Sequence, residues 1–260
     1  MDATPTHLPL ARFRDVEKRF SNGTLALSGL NIALGAREFV SLLGPSGCGK
    51  STALRLLAGL IAPSSGTVEW PGQTDTAGRL SFVFQEPTLM PWRTVFGNVH
   101  LPLRLAGVRK AEARPRVLQA LAGVGLAGFE NAYPRQLSGG MKMRVSIARG
   151  LVTRPSILLM DEPFAALDEI TRTRLNDDLL ALWAEQQLSI AFVTHSVFES
   201  VYLSSRIVVM AARPGRVVAD IPIAAPYPRT EAFRTSEPYN HYCRIVSAAL
   251  KAAMGETAHV

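Results

Sequence analysis

Gly44-Pro45-Ser46-Gly47-Cys48-Gly49-Lys50-Ser51-Thr52 fits the phosphate-binding loop pattern of a glycine, four free positions and then Gly-Lys-Ser/Thr. Before it, Glu38-Phe39-Val40-Ser41-Leu42-Leu43 reads as a buried strand, and after it Leu54, Leu57, Ala58 and Ile61 recur at helical spacing. The loop therefore stands between a strand and a helix, the context that makes the motif credible. Its glycines let the backbone wrap closely round an anion, with N–H groups turned toward phosphate oxygens. The following helix offers the positive end of its dipole to the same place. Lys50 is suited to neutralising β and γ phosphates, and the Ser51 hydroxyl to ligating Mg²⁺.

The chain of 260 residues is long enough for one large domain or two small lobes. Its apolar fraction of 47% belongs to a globular protein rather than a disordered one. No apolar run approaches the ~20 residues that cross a bilayer. Met1-Asp2-Ala3-Thr4-Pro5-Thr6-His7 has neither the basic start nor the apolar centre of a secretory signal, so the expectation is a cytoplasmic location. Two cysteines, Cys48 and Cys243, make no disulfide framework and no metal-ligand spacing. Cys48, in an electropositive loop by a helix N-terminus, is expected to have a lowered pKa and a reactive thiol. The net charge of +7 fits a solvated basic surface or apposition to an anionic membrane face about equally. No dense Lys/Arg run with interleaved aromatics is present, which sets nucleic acid behind both.

Taken in order, Arg12 to Phe20 and Thr24 to Leu34 read as strands joined by the turn Ser21-Asn22-Gly23. Phe20, taken alone, reads as core; an aromatic at that place can also stack on adenine. Pro63-Ser64-Ser65-Gly66 is a turn, Thr67 to Trp70 a strand and Pro71 to Asp75 a loop. Leu80 to Phe84 is a further buried strand with Gln85 at its carboxyl end, where ligands bind in open α/β sheets. From Thr88 to about Pro155 the chain becomes mostly helical, with Pro115 near the start of one helix. This stretch contains Leu137-Ser138-Gly139-Gly140-Met141 followed by a helix, a second anion-ready helix terminus.

Ser156 to Met160 is an apolar strand running into Asp161-Glu162-Pro163. Two adjacent carboxylates at the tip of a buried strand are costly unless they meet a cation or a reacting group. Asp161 fits the Mg²⁺ shell and Glu162 a base that polarises water. Asp168 is placed to cap the helix carrying Leu175, Leu179, Leu182 and Trp183. Ser189 to Thr194 is one more buried strand, with His195 at its tip. Gln85, Glu162 and His195 thus all follow apolar strands, a recurrence that points to one site. Ile207 to Ala211 and Arg216 to Ile221 close the strand set, and the chain from about Thr230 reads as helical.

Together, these motifs resemble an ABC transporter ATP-binding subunit in order and spacing. Gln85-Glu86-Pro87-Thr88-Leu89-Met90-Pro91-Trp92, Met141-Lys142-Met143-Arg144, Glu162 to Glu169 and Ala212-Arg213-Pro214-Gly215-Arg216 resemble the nitrate/sulfonate/taurine importer branch. The resemblance implies an α/β phosphate-loop NTPase core, a mostly parallel sheet with flanking helices, with an N-terminal antiparallel β portion and a helical insertion. It implies one ATPase domain over residues 10–225, with the insertion at about 88–155, and a helical extension over 226–260. It implies that Phe20 stacks on adenine and that Gly44 to Thr52 hold the phosphates of ATP. Ser51 and Gln85 would ligate Mg²⁺ with Asp161 behind, Glu162 would be the general base, and His195 would contact the γ phosphate. Ser138, Gly139 and Gly140 would reach the nucleotide held by a second copy or a paralogous subunit, with Asp168 at the seam.

The implied activity is ATP hydrolysis at the cytoplasmic membrane face, driving a separate permease fed by an extracytoplasmic solute-binding protein. Nitrate, sulfonates, taurine and pyrimidine-type precursors all remain open as solutes. The sequence departs from the family's commoner residues at Phe20 (often Tyr), Met141 (Gln) and Ser196 (Asp). The rival reading, a soluble ABC ATPase acting on nucleic acid or ribosomes, usually brings a long coiled-coil insertion, zinc cysteines or a second ATPase unit, none of which the sequence shows.

Overall fold

The computed structural model describes residues 9–71 and 80–255. The loop expected over Pro71 to Asp75 lies, past Pro71, outside them. In chain order the elements are β1 (Ala11–Arg19), β2 (Leu25–Leu34), β3 (Phe39–Leu43), α1 (Lys50–Leu57), β4 (Ser65–Glu69) and β5 (Leu80–Val83). Then come α2 (Val95–Val99), α3 (Leu101–Leu105), α4 (Lys110–Gly123), a 3₁₀ turn (Pro134–Gln136), α5 (Gly139–Leu151), β6 (Ile157–Asp161) and α6 (Glu169–Gln186). The described residues end with β7 (Ser189–Thr194), α7 (Val197–Leu203), β8 (Arg206–Ala211), β9 (Arg216–Pro222), α8 (Glu231–Arg234) and α9 (Glu237–Gly255). Two compact units result, one from residues 1–76 and 188–260, the other from residues 77–187.

In the first unit β3 lies between β7 and β8, parallel to both, and β9 closes the edge antiparallel to β8. Every residue of β3 and of β7 is buried, the pattern of strands covered on both faces. The single polar residue of β3, Ser41, is satisfied by a 2.5 Å hydrogen bond with Ser204. A separate antiparallel sheet in the order β2-β1-β4 has alternating burial, so one face is covered and the other wet. The expected antiparallel N-terminal portion is therefore present.

Among the described residues the stretch past Thr230 forms α8 and α9, and α9 packs on α7 and β8 of this unit. Arg229, ahead of these helices, is buried. Its guanidinium donates to the carbonyls of Val201, Tyr202 and Ser204 at 2.9–3.0 Å, capping the C-terminal end of α7. The Tyr227 ring stacks 4.1 Å from it. Burial pushes the Tyr227 phenol up to about 12 against the opposing charge of Arg229, so it stays neutral and donates to the Leu203 carbonyl.

In the second unit β5 and β6 run parallel, with Val83 opposite Met160. The remainder is helical, with α2 to α5 in the stretch expected as the insertion, about 88–155, and α6 beyond it. Its α4, α5 and α6 are joined by Arg144, which donates to the Val124 carbonyl at 3.0 Å and pairs with Asp178. Pro115 lies inside α4, past the first turn.

Candidate nucleotide-binding site

The phosphate loop leaves the carboxyl end of β3. Gly49 holds φ +92 and forms the N-cap of α1, which has no side-chain cap. A Cβ at Gly49 would meet the Leu27 side chain at 2.6 Å and the Ala26 carbonyl at 3.0 Å, so both conformation and space demand glycine. The Arg213-Pro214-Gly215 turn seals the other side. Gly215 exchanges backbone hydrogen bonds with Ala26 and Ser28 at 3.0 Å. A Cβ there would fall 2.2 Å from the Cys48 carbonyl.

Lys50 is buried within this turn. Its Nζ donates to the carbonyls of Gly44 at 2.8 Å and Pro45 at 3.0 Å, which closes the loop on itself. The result is an uncapped helix N-terminus with a buried ammonium beneath it, a cradle that fits an anion.

β7 runs beside β3 with Thr194 opposite Leu43, so His195 leaves the sheet level with Gly44. The structure thus brings His195 and the phosphate loop to one edge of the first unit. His195 itself is exposed while the strand behind it is buried. The bend that carries it is fixed from below. Thr194 Oγ1 donates to the buried Glu199 carboxylate at 2.5 Å and accepts from the Ser196 N–H at 3.0 Å. Ser196 then caps α7 by accepting from the Glu199 N–H at 3.2 Å. Serine in place of the family's commoner Asp therefore retains the cap. Glu199 is a supporting residue that sequence reading missed, because nothing local marks a helical Glu as the partner of a strand-end Thr.

In the second unit, Gln85 lies two residues past Val83 and Glu162 two residues past Met160, so both follow the same end of the paired strands β5 and β6. Asp161 ends β6 and is buried; Gln85 is exposed. Glu162 adopts φ +45, uncommon for a residue with a side chain and the kind of strain found where a site fixes a group. Ser51 in the first unit, and Gln85 and Asp161 in the second, each carry an oxygen donor of the kind that Mg²⁺ accepts. The described residues contain no group of three His, Cys, Asp or Glu that could hold a metal by itself.

Ser138 caps α5, accepting from the Met141 N–H at 3.3 Å, and leaves Gly139 exposed at the helix start. Asp168 caps α6 as expected, accepting from the Thr171 N–H at 2.9 Å. That hydrogen bond holds its carboxyl below the usual range.

Two readings change. Phe20 is 39% exposed, with Lys18 over its ring at 5.5 Å, so it is not the core residue that the position taken alone suggests. An aromatic displayed at a hairpin end is available for stacking. Cys48 is fully buried, and burial raises its thiol pKa despite the opposing charge of Lys50. The expected lowering fails because the thiol points into the protein, where loss of solvent outweighs the nearby ammonium.

The geometry described is that of an α/β nucleotide-binding protein of the phosphate-loop class. Residues 27–165 match the family model described as ABC transporter. A putative ATP-binding protein of Brucella abortus is 47% identical over 231 residues, 88% of each chain. The aliphatic sulfonates import ATP-binding protein SsuB 2 of Pseudomonas syringae pv. tomato is 46% identical over 214 residues, 82% of this chain and 88% of that one. A bacterial ABC transporter cassette solved as a dimer superimposes with a TM-score of 0.72 at 32% identity, covering 83% of this chain and all of that one. The chain belongs to the ABC transporter family, as an ATP-binding subunit.

The buried thiol generates a test. In a Cys243→Ser background, Cys48 of the native chain should react with a neutral-pH thiol reagent at least ten times more slowly than in the urea-unfolded chain. Equal rates in a thiol-quench assay would show that the thiol is accessible.

Proposed function

We propose that two copies of this subunit close head to tail on two ATP molecules and power uptake of a small solute, such as a sulfonate or another oxyanion, through a separate permease. What supports this reading is that polar groups follow neighbouring strand ends: His195 after β7 beside β3 and its phosphate loop in one unit, Gln85 after β5 and Glu162 after β6 in the other. The sulfonate class is supported by the relatives named for sulfonate import.

In this reading Lys50 exchanges its loop carbonyls for the β and γ phosphate oxygens, and Phe20 stacks on adenine. Ser51 and Gln85, backed by Asp161, would hold magnesium, which when bound offsets phosphate charge. Glu162 accepts a proton from the attacking water, and His195 hydrogen-bonds the γ phosphate. Ser138 to Gly140 bring a second helix N-terminus to the twin's nucleotide, with Asp168 at the seam.

The helical insertion supplies the permease dock. Asn98 is buried and staples the preceding loop, accepting from the Met90 N–H at 2.8 Å and donating to the carbonyls of Met90, Arg93 and Thr94. That loop forms the wall of a cleft of about 570 Å³ where Trp92 and Phe96 meet Arg93, Arg104, Arg109 and Lys110. Trp92 is 74% exposed, and the cationic rim suits a segment with an apolar face and acidic groups.

Three outcomes test the reading. Glu162→Gln should lower the ATPase rate at least 100-fold while ATP affinity stays within about threefold, because only the proton acceptor is removed; a near wild-type rate ends the general-base assignment. Gly139→Asp should abolish hydrolysis yet leave nucleotide binding to the monomer intact, since a Cβ there makes only a 3.4 Å contact with Leu167; normal turnover counts against the shared site. Affinity purification of the full chain from membranes should recover a permease, and recovery of DNA or ribosomes in its place would favour the nucleic-acid alternative.

A further inference from the structure

α7, the helix that follows His195, has 7 residues. That is fewer than the roughly 12–15 at which a helix begins to hold itself in water, so other parts of the chain must keep it in place. Its last turn leaves carbonyls without helical donors, and side chains from the segment past β9 take them. Arg229 Nη1 donates to the carbonyls of Val201 at 2.9 Å, Tyr202 at 3.0 Å and Ser204 at 2.9 Å. Tyr227 Oη donates to the Leu203 carbonyl at 2.9 Å. One turn further back, Tyr239 Oη donates to the Phe198 carbonyl at 3.0 Å. The grip is mutual, since Tyr202 Oη donates to the Arg229 carbonyl at 2.9 Å.

The gripping side chains are themselves fixed. Arg229 is buried, its Nη2 donates to the Ala225 carbonyl at 3.1 Å, and its guanidinium lies 5.2 Å from the centre of the Phe233 ring as well as against Tyr227. Phe233 meets the Tyr239 ring edge-on at 5.3 Å, and Arg234 covers the Tyr202 ring at 3.7 Å. A guanidinium at the C-terminal end of a helix also meets the negative end of its dipole. A planar fork spread over three carbonyls of one turn fixes the tilt of the helix as well as its position.

The other end of α7 holds the bend that carries His195. Glu199 stands in the first turn, where its carboxylate accepts from Thr194 Oγ1 and its N–H is capped by Ser196. A tilt of α7 therefore displaces Glu199, and with it the residue between Thr194 and Ser196. We propose that residues 227–239 form a clamp for hydrolysis with Arg229 as its central positioning residue: by fixing the C-terminal end of α7 it fixes the Glu199–Thr194 bend, and so keeps His195 where the γ phosphate is met. This rests on the γ-phosphate role given to His195 above. Arg229 touches no nucleotide in this scheme; it acts through α7.

The test uses the full-length subunit as wild type, His195→Ala, Arg229→Lys, the paired Tyr227→Phe/Tyr239→Phe variant, and Arg229→Lys combined with His195→Ala. Steady-state ATP hydrolysis is measured beside equilibrium affinity for ADP and for a non-hydrolysable ATP analogue, all with Mg²⁺. Arg229→Lys should lower kcat at least tenfold, because an ammonium cannot fork across the turn. It should keep ADP affinity within about twofold yet weaken analogue affinity relative to ADP at least threefold, the mark of a displaced γ-phosphate contact. The paired tyrosine variant, which keeps the rings and loses only two hydroxyls, should move both readouts in the same direction by a smaller factor. In the His195→Ala background Arg229→Lys should leave the analogue-to-ADP ratio nearly unchanged, because the group it positions is gone.

A wild-type kcat and ratio in Arg229→Lys overturn the proposal. So does a loss of affinity that falls equally on ADP and the analogue, as general loosening of the fold would give, or a threefold fall in the ratio that persists without His195. If Arg229→Lys does not fold, the same criteria apply to the paired tyrosine variant, alone and in the His195→Ala background. A wild-type rate and ratio in His195→Ala would bring down the reading of His195 and this inference with it, whereas a defective His195→Ala beside a normal Arg229→Lys brings down this inference only.

Discussion

A helix that starts without a side-chain cap keeps its first N–H groups available to an anion. At Lys50 that condition is met by one packing constraint, the left-handed Gly49 pressed against Leu27 and the Ala26 carbonyl. The contact orients the first turn of α1, and Lys50 draws the loop shut by donating to the Gly44 and Pro45 carbonyls. The N-terminal antiparallel sheet accordingly has a task beyond covering the core: β2 is the floor on which the loop rests. The Gly215 turn closes the far wall through hydrogen bonds to the same strand.

Buried parallel strands dictate the chemistry at their ends. β3, β6 and β7 are mostly apolar and buried along their length, so apart from Ser41, which Ser204 satisfies, their polar groups fall at the strand ends. Parallel register then decides which stops are level. Gly44 and His195 leave neighbouring strands at the same end, and so do Gln85 and Glu162. The supporting groups sit one layer deeper. Glu199 fixes the bend at His195 through Thr194, and Arg229 fixes the far end of α7 through three carbonyls.

Local motifs carried the α/β class, the strand–loop–helix of the phosphate loop, the helix start after Ser138 and the cap at Asp168, because each depends on residues within a few positions of one another. The branch-like wording Ala212-Arg213-Pro214-Gly215-Arg216 was legible only as a resemblance; its physical reason, the close approach of Gly215 to Cys48, needed the folded chain. Charge neighbours alone misjudged Cys48. The nearby lysine is visible in sequence, while the depth that reverses the sign of the pKa shift is not. Phe20 was misjudged in the same way when taken alone, since a hairpin end can face inward or outward and only packing chooses.

The order of the residues by itself determined where anions can be met: glycine spacing, the lysine that follows and the carboxylates after an apolar run are all contiguous, and their conformations are set by near neighbours. Tertiary structure alone decided which of these groups stand level and what holds them there. Strand register joins residues far apart in the chain, and the grips of Arg229 on α7 and of Gly215 on β2 span distances over which no local pattern survives.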